Sequence, residues 1–515
     1  MKVSTLCRVW AYLSIAAVAT NGIARAQEQM PANSDRPANP SFEFTEDRIS
    51  ETHHTVTIDG QETAYTARAG TLVIRDEAGK ARASIFHVVY TKDGVSDPAT
   101  RPVTFAYNGG PGSSSVWLHM GAFGPQRVLM DDEGMPLPPP YRLVPNEYSI
   151  LDVTDLVFID PVTTGFSRPA PGQDESQFHG VNEDIESVAE FIRLWTARNE
   201  RWASPKFLAG ESYGTTRSAG LSGELQDHHG IYLNGIVLVS MVLNFQTIDS
   251  NPGNDLPFQL FLPTYTATAW YHKKLPADLQ NGPLEVALKA AEEFANGPYL
   301  SALNLGDRMT SEERSKIAAQ IARFTGLSAE FVQQCNLRVG EGRFFKELLR
   351  DQRRTTGRLD SRFIGIDADA AGEGASYDSS YAAIQGPYTA CLNDYVKRDL
   401  GYANDLPYEI LTGRVWPWSF RSAQNQYLNV AETLRSAMTQ NQALRVFVAS
   451  GYYDLATPYF AADYTIAHMG LEGALRDNVE THYYPAGHMM YIQKSSLAKL
   501  KSDLTGFYRK AVPGQ

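Results

Sequence analysis

The chain has few cysteines, no concentration of basic residues and no long apolar run beyond its N-terminal region. Three cysteines stand among 515 residues, and their spacing resembles no Cys/His zinc pattern. A net charge of −12 without a basic block argues against a nucleic-acid or anionic-membrane partner. The composition is globular, and small neutral or peptide-like substrates fit it best. No metal or organic cofactor is expected.

The first 26 residues are typical of a secretory signal peptide. Lys2 and Arg8 accompany an apolar stretch from Val9 to Ala19, and Ala24-Arg25-Ala26 stands directly before Gln27. A membrane anchor is the alternative, but the stretch is shorter than the roughly 20 residues that a span requires. We therefore expect a periplasmic or extracellular protein without a membrane span, with a flexible linker over 27–45.

Two cysteines remain after the predicted leader, which contains Cys7, is removed. Cys335 and Cys391 could form a disulfide in an oxidising compartment if their Cα atoms lie within reach. Two buried free thiols are the alternative. The sequence leaves both open.

Strand and helix patterns alternate along much of the chain. Short segments rich in Val, Ile, Thr and Tyr run from His53 to Tyr90, with breaks at Asp59-Gly60, Ala69-Gly70 and Ala78-Gly79-Lys80, which predicts antiparallel strands joined by turns. The later pattern predicts strands over Val103–Tyr107, Leu156–Ile159, Phe207–Ala209, Gly235–Val242, Arg445–Ala449 and Glu480–Tyr484, and helices over Val181–Trp195 and Thr215–Leu225. This alternation indicates an α/β protein whose mostly parallel sheet has helices on both faces.

The middle of the chain departs from that alternation. Helical patterns such as Leu284–Phe294 and Ser311–Arg323 are joined there by polar, aromatic-rich connections. We therefore expect an inserted, mainly helical cap over 251–430. The core is expected over 46–250 and 431–515, with the antiparallel strands at its N-terminal end.

A short glycine-flanked serine motif follows one predicted strand. Gly210-Glu211-Ser212-Tyr213-Gly214 matches G-x-S-x-G, in which glycines permit a tight strand-to-helix turn that exposes the serine hydroxyl. The pattern is weak alone, but here it lies between a predicted strand and a predicted helix. Ser212 is therefore a candidate nucleophile.

Two further residues complete a catalytic order. A serine nucleophile needs a general base and a carboxylate that orients the base. Asp454 and His488 each follow a predicted strand, in the order Ser, acid, His that the α/β-hydrolase fold uses. A turn aspartate and a packed histidine are the alternatives. The joint placement favours the α/β-hydrolase fold with a Ser212, Asp454 and His488 triad.

A glycine-rich loop follows the predicted strand Val103–Tyr107. In Asn108-Gly109-Gly110-Pro111-Gly112, the glycines let backbone N–H groups approach a substrate. The N–H groups of Gly110 and Tyr213 are candidates for an oxyanion hole. A simple glycine-rich turn is the alternative, and the Gly-Lys-Ser/Thr ending of a phosphate loop is missing.

These motifs together resemble the serine carboxypeptidases, most closely the bacterial members of that family. The agreement covers 108–115, 160–167, 210–214, 451–454 and 487–489, in order. The resemblance implies hydrolysis of C-terminal peptide bonds through an acyl-enzyme. It also implies that Asn108, Gly109 and Glu211 bind the substrate's C-terminal carboxylate. Because two carboxylates in contact cannot both stay ionised cheaply, it further implies better binding at acid pH.

The sequence also departs from that family. Ala106-Tyr107 stands where Trp-Leu is usual, Ala122 replaces a Glu, Ser113 replaces a disulfide cysteine, and Thr163 stands where Gly is common. Ala106 and Ala122 make an esterase or acyltransferase with the same triad the second hypothesis. A non-catalytic secreted binding protein is the third. Side-chain preference and oligomeric state are left open by the sequence.

Overall fold

The computed structural model describes residues 44–512, and a ten-stranded sheet runs through it. The predicted signal peptide and all but the last two residues of the predicted linker lie outside the described residues. The strands in chain order are β1 (Arg48–Ile58), β2 (Gln61–Arg75), β3 (Ala81–Lys92), β4 (Val103–Tyr107), β5 (Gln126–Val128), β6 (Leu143–Pro145), β7 (Asp155–Ile159), β8 (Arg168–Pro169), β9 (Lys206–Glu211), β10 (Gly235–Val239), β11 (Arg354–Thr356), β12 (Ile364–Ile366), β13 (Arg445–Gly451) and β14 (Val479–Tyr484).

The strand order brings the carboxyl ends of β4, β9, β13 and β14, which precede the candidate site residues, to one edge of the sheet, with β10 between β9 and β13. The sheet runs β1-β2-β3-β7-β4-β9-β10-β13-β14, with β8 beside β3. All pairs from β7 to β14 along this order are parallel, so their carboxyl ends lie at one edge. Strands β5 and β6, and β11 and β12, form two small antiparallel pairs. The predicted α/β-hydrolase fold is confirmed.

One predicted turn among the N-terminal strands is wrong. Asp59-Gly60 and Ala78-Gly79-Lys80 do separate strands, but Ala69-Gly70 lies inside β2. A Cβ on Gly70 would lie 2.0 Å from the Arg48 carbonyl oxygen of β1. The glycine therefore serves close strand packing and not a turn.

Helices cover both faces of the sheet, as the alternating pattern predicted. They are α1 (Val116–Leu118), α2 (Val181–Arg198), α3 (Tyr213–His229), α4 (Leu256–Tyr271), α5 (Ala277–Gln280), α6 (Leu284–Phe294), α7 (Leu300–Leu305), α8 (Ser311–Thr325), α9 (Ala329–Gln334), α10 (Glu341–Glu347), α11 (Ser379–Arg398), α12 (Ala431–Gln440), α13 (Tyr459–Ala467), α14 (Gly473–Arg476) and α15 (Lys494–Ala511). Alternate residues of β10 enter two hydrophobic clusters, Val237 with α15 on one face and Ile236 with α2 and α3 on the other. Burial on both faces fixes the strand register.

Short helical turns connect these elements. Two are π-helical, His119–Phe123 and Ala295–Tyr299. The 3₁₀ turns are Pro98–Thr100, Glu175–Phe178, Phe245–Thr247, Gly306–Arg308, Arg350–Gln352, Gly413–Val415, Arg421–Ala423 and Met490–Ile492. Within residues 44–512, no helix is both long enough and apolar enough to cross a membrane.

The inserted segment has its own hydrophobic core. Apolar residues of α4, α6 and α8 share one cluster, to which Leu455 adds a side chain from the loop after β13. Helix α11 belongs elsewhere, because Tyr388 and Leu392 pack in the cluster under the sheet. The boundary of the cap stays a proposal, and we place its independent core between 256 and 349 instead of extending it to 430.

The two cysteines are free in the structure. Cys335 lies in the cluster of the inserted segment and Cys391 in a cluster under the sheet, and both are buried. The disulfide that the sequence left open does not form here, and the pair of buried thiols is what the structure contains.

Candidate active site

Ser212 occupies a strained turn at the junction of β9 and α3. Its φ is 59° and its ψ is −129°, a conformation that non-glycine residues rarely adopt. A Cβ on Gly210 would lie 2.2 Å from the Gly214 carbonyl oxygen, and one on Gly214 would lie 2.9 Å from the Tyr107 carbonyl oxygen. Both glycines are thus required for the turn, and its geometry is that of a nucleophile elbow.

Asp454 and His488 are in direct contact. His488 Nδ1 lies 2.7 Å from Asp454 Oδ2, and both side chains are buried. The other carboxylate oxygen, Oδ1, accepts the backbone N–H groups of Ala456 and Thr457, at 2.7 and 3.0 Å. Two fixed N–H groups and a hydroxyl bond from Thr457 to Oδ2 hold the carboxylate in place. A neutral imidazole paired in this way carries its proton on Nδ1, so that Nε2 has a free lone pair.

Opposing effects act on the pKa of His488. Burial lowers it, while the charge and hydrogen bond of Asp454 and the charge of Glu211 raise it, and the net result is a raised pKa. The carbonyl oxygen of His488 accepts a 2.6 Å hydrogen bond from Ser240 Oγ, just beyond β10. Ser212 N donates to Val239 O at the end of the same strand. The loops that carry the serine and the histidine are therefore both attached to β10.

The glycine-rich loop after β4 packs directly onto the serine turn. A Cβ on Gly109 would lie 2.4 Å from Tyr213 N, and Gly110 has a φ of 103°. Tyr213 is the first residue of α3, so its N–H has no partner within the helix. The two predicted oxyanion donors thus belong to segments in contact. Across the loop, Ser114 N donates to Ile410 O, so part of the segment predicted as cap supports this loop.

Asn108, Glu211 and Tyr491 form a buried polar group beside the triad, which we call the carboxylate half of the site. The Tyr491 hydroxyl donates to Glu211 Oε2 at 2.5 Å. Burial raises the pKa of Glu211 from 4.5 to about 7, although the His488 charge, Tyr491 and Asn108 oppose this rise. Asn108 Oδ1 accepts Leu118 N, while its Nδ2 is buried without a hydrogen bond of acceptable geometry among the described residues. A buried donor and a readily protonated carboxyl therefore lie together.

Tyr491 was not predicted from the sequence. It lies three positions after His488, on the one-turn helix Met490–Ile492. Its closeness in sequence to His488 could have indicated it, because a residue one helical turn from a candidate catalytic histidine can reach the same site.

A buried ion pair under the serine turn was also missed. Arg217 Nε donates to Asp184 Oδ2 at 2.7 Å, and its Nη1 donates to the Asn108 carbonyl oxygen at 2.6 Å. The guanidinium also lies over the rings of Tyr107 and Tyr213. Arg217, which belongs to helix α3, therefore fixes the position of the Asn108 backbone relative to that helix.

A loop of the inserted segment contacts the acid and the base. Residues 358–362, here called the cap loop, connect β11 to β12. Leu359 O accepts His488 N at 2.7 Å, and Asp360 Oδ2 accepts Gly487 N at 3.0 Å. Because the loop has no motif, this contact could not be predicted from the sequence. Asp454 and His488, which we call the acid–base half of the site, are thus supported by the inserted segment.

Within the part of the chain that the structure describes, no group of three or more His, Cys, Asp or Glu side chains could hold a metal ion. The chemistry that the arrangement can support is nucleophilic attack by a hydroxyl, with proton transfer through a histidine.

Comparison with known proteins agrees with the motifs. A sequence profile described as "Serine carboxypeptidase" matches residues 61–255. Serine carboxypeptidase-like 33 of Arabidopsis thaliana is 30% identical over 139 residues, which are 26% of this chain and 27% of that protein. Serine carboxypeptidase-like 22 of the same plant is 22% identical over 464 residues, 86% of this chain and 83% of that protein. The match covers 27% to 35% of the length of the first three relatives.

The solved structures contain a similar fold. Kex1Δp, a prohormone-processing carboxypeptidase from Saccharomyces cerevisiae, superposes with a TM-score of 0.53 and 16% identity, covering 86% of this chain and 91% of that one. At this level of identity the likeness concerns the fold.

Proposed function

Because the chain is related in sequence to the serine carboxypeptidases, we propose that it is an exported serine hydrolase that releases C-terminal residues from peptides. Ser212 is the nucleophile, His488 the general base and then the general acid, and Asp454 the group that orients the histidine. The export part of the proposal rests on the leader-like sequence before Gln27.

The proposed reaction has two stages. Ser212 Oγ attacks the scissile carbonyl carbon while His488 Nε2 takes the hydroxyl proton, and the N–H groups of Gly110 and Tyr213 stabilise the oxyanion. His488 then gives the proton to the leaving amine as the peptide C–N bond breaks, which leaves an acyl-enzyme. Water activated by His488 attacks the ester and frees Ser212.

One observation supports exopeptidase specificity above others: among residues 44–512 the buried Nδ2 of Asn108 has no hydrogen bond of acceptable geometry, and Asn108 lies beside Glu211. A substrate carboxylate would accept one hydrogen bond from Nδ2 and another from Glu211, provided that Glu211 is protonated. With a pKa of about 7, Glu211 is mostly neutral at acid pH. Gly109 is proposed to add a backbone N–H. Buried donors of this kind are costly to leave unpaired, so a ligand that pairs them gains affinity.

The second candidate is an esterase or acyltransferase with the same triad. Ala106 and Ala122 are both buried, at 0% and 1% exposure, and neither side chain can donate to or accept from a carboxylate. A weaker carboxylate site would favour acyl groups without a free acid. The intact Asn108, Glu211 and Tyr491 group keeps the carboxypeptidase proposal ahead.

The experiment compares three substrates that share one blocked acyl residue: a dipeptide free acid, its C-terminal amide and a matching ester. We expect kcat/KM for the free acid to exceed that for the amide, and Ser212→Ala to reduce turnover by roughly 10⁶-fold. The matched control is Ser222→Ala on the same helix, because among the described residues the Ser222 hydroxyl donates to Ala219 O alone.

The three outcomes separate the candidates. Ester turnover without preference for the free acid would make the esterase the leading function. Turnover that survives in the Ser212→Ala variant would reject this serine as the nucleophile. No turnover of any substrate, with no labelling of Ser212 by an acylating phosphonate, would support a binding protein.

A further inference from the structure

The cap loop is fixed to the acid–base half of the site along most of its length. Besides the bonds from Gly487 and His488, Leu455 N donates to Arg358 O and Ser361 N donates to Tyr453 O, both at 3.0 Å. These last two bonds flank Asp454 on either side. The backbone of the cap loop therefore has a defined position beside the acid and the base.

Tight packing reinforces these hydrogen bonds. A Cβ on Gly487 would lie 2.5 Å from the Leu359 carbonyl oxygen and 2.5 Å from Asp360 Cβ. Asp360, Ser361 and Arg362 are buried, and Gly357 N donates to Phe363 O to close the base of the loop. The cap loop and the side chains that it carries are thus held at fixed positions beside Gly487 and His488.

The two arginines of the cap loop differ in how their charges are paired. Arg362 Nη2 lies 2.7 Å from Asp360 Oδ2, and its Nη1 lies 3.6 Å from Glu133. The guanidinium of Arg358 has no hydrogen bond and no ion pair with any residue between 44 and 512, and the residue is half-buried. A half-buried guanidinium without a partner among these residues keeps its N–H donors available to a ligand.

The charge of Arg358 acts on the catalytic histidine. Burial and Arg358 both lower the pKa of His488, against the larger combined effect of Asp454 and Glu211. His488 is also bonded through its N–H to Leu359, the next residue after Arg358. Two backbone contacts, Leu455 N with Arg358 O and His488 N with Leu359 O, therefore place Arg358 beside the acid–base half of the site.

We propose that Arg358 binds the side-chain carboxylate of an acidic residue at the C-terminal, leaving position of the substrate. The inference rests on the proposed carboxypeptidase function. His488 gives its proton to the leaving amine, so a cation beside His488 faces the leaving residue. The α-carboxylate of that residue already has Asn108 and Glu211. The carboxylate left for Arg358 to bind is therefore that of a Glu or Asp side chain, which a guanidinium can bind in bidentate fashion.

The test uses N-blocked dipeptides that differ only in the leaving residue, Glu or Gln, at about pH 6, where a Glu side chain is ionised. For the unmodified enzyme we expect kcat/KM to be roughly tenfold higher for Glu than for Gln, the size of one charge-assisted hydrogen bond. In Arg358→Gln the Glu:Gln ratio should fall to about one. The matched control is Arg354→Gln on β11, whose guanidinium donates to Arg353 O.

A second variant covers the case in which Arg358→Gln does not fold. Arg358→Lys keeps the charge but not the planar fork, so its Glu:Gln ratio should lie between one and that of the unmodified enzyme. An unchanged ratio in a folded Lys or Gln variant rejects the proposal.

Other results overturn the inference while leaving the proposed function intact. Equal cleavage of the Glu and Gln peptides by the unmodified enzyme would show that the leaving side chain is not read by charge. Discrimination only when Glu and Gln are placed on the acyl side would assign Arg358 to the other subsite. Loss of the free-acid preference over the amide in Arg358→Gln would show that Arg358 binds the α-carboxylate. Failure of the unmodified enzyme on every peptide would instead remove the proposed function itself.

Discussion

The two halves of the candidate site differ in how directly the inserted segment supports them: Ile410 bonds to Ser114, six positions after Asn108, whereas Leu359 bonds to His488 itself. The carboxylate half consists of Asn108, Glu211 and Tyr491, which follow β4, end β9 and follow β14 of the central sheet. The acid–base half, Asp454 and His488, also follows core strands but is bonded to the cap loop, with Gly487 and Asp360 separated by 127 positions. In the carboxylate half, burial in the core thus raises the pKa of Glu211. The other half depends on an insertion that must dock before the acid and base are fully supported.

The sharpest way to test the acid–base half is to change the carboxylate itself. Asp454→Asn keeps the shape of the side chain, but its amide would donate to His488 Nδ1 and place the imidazole proton on Nε2, where it blocks proton uptake. We expect kcat to fall by roughly 10⁴-fold with little change in KM, measured with the dipeptide free acid. Asp463→Asn is the control, because that half-buried carboxyl accepts from Tyr483 and has no histidine partner between residues 44 and 512. A loss below tenfold would exclude Asp454 as the orienting acid.

Because the acid–base half depends on the cap loop, loss of one cap-loop contact should lower kcat, but by less than Asp454→Asn does. Asp360→Asn removes the charge that pairs with Arg362 and weakens the acceptor for Gly487 N, so the His488 loop should shift. Because small misplacement of a catalytic group can cost about 100-fold, we expect kcat to fall roughly 10- to 100-fold while KM changes less than threefold.

An exposed ion pair of the same segment provides the control for Asp360. Arg343 and Glu373 form such a pair, and Glu373→Gln should leave both constants near those of the unmodified enzyme. If Asp360→Asn instead raises KM and spares kcat, the cap loop acts in binding and does not position the base.

The same difference explains what the sequence could predict. Asn108 and Ser212 come directly after the buried strands β4 and β9, Asp454 and His488 lie in the short loops after β13 and β14, and motifs with glycines record the local geometry there. Parallel pairing then brings strand ends together without further information. These residues and the α/β-hydrolase fold were therefore within reach of sequence reasoning.

Long-range contacts could not be predicted from the sequence, for a physical reason. The bonds from Asp360 to Gly487 and from Arg217 to Asp184 depend on how distant segments dock, and no local pattern encodes this. Gly70 shows a related limit, because glycine in a turn and glycine at a close strand crossing look alike in sequence. The cluster that a helix joins is a third such case, since the pattern of α11 does not say that Tyr388 and Leu392 pack with residues of the sheet.

For the carboxylate half we predict the smallest change in a kinetic constant, but a specific dependence of KM on pH. Glu211 can donate to a substrate carboxylate only while protonated, so binding should be strong below its pKa of about 7 and weaken as the pH rises through that value. In the unmodified enzyme we expect KM for the free acid to rise roughly tenfold between about pH 7 and pH 8.5. KM for the amide should change much less, since it presents no negative charge to Glu211.

Glu211→Gln removes this ionisation while retaining a donor, so its KM for the free acid should stay nearly constant over the same range. Glu292→Gln is the matched control, because Glu292 also accepts from a tyrosine, Tyr459, and has a raised pKa through burial. If KM in the Gln variant still rises with pH, another group controls carboxylate binding. A free-acid KM in the unmodified enzyme that stays flat or falls up to pH 8.5 would mean that Glu211 does not face the substrate carboxylate. The raised pKa of Glu211 would then have no part in substrate binding, and its burial would serve only the fold.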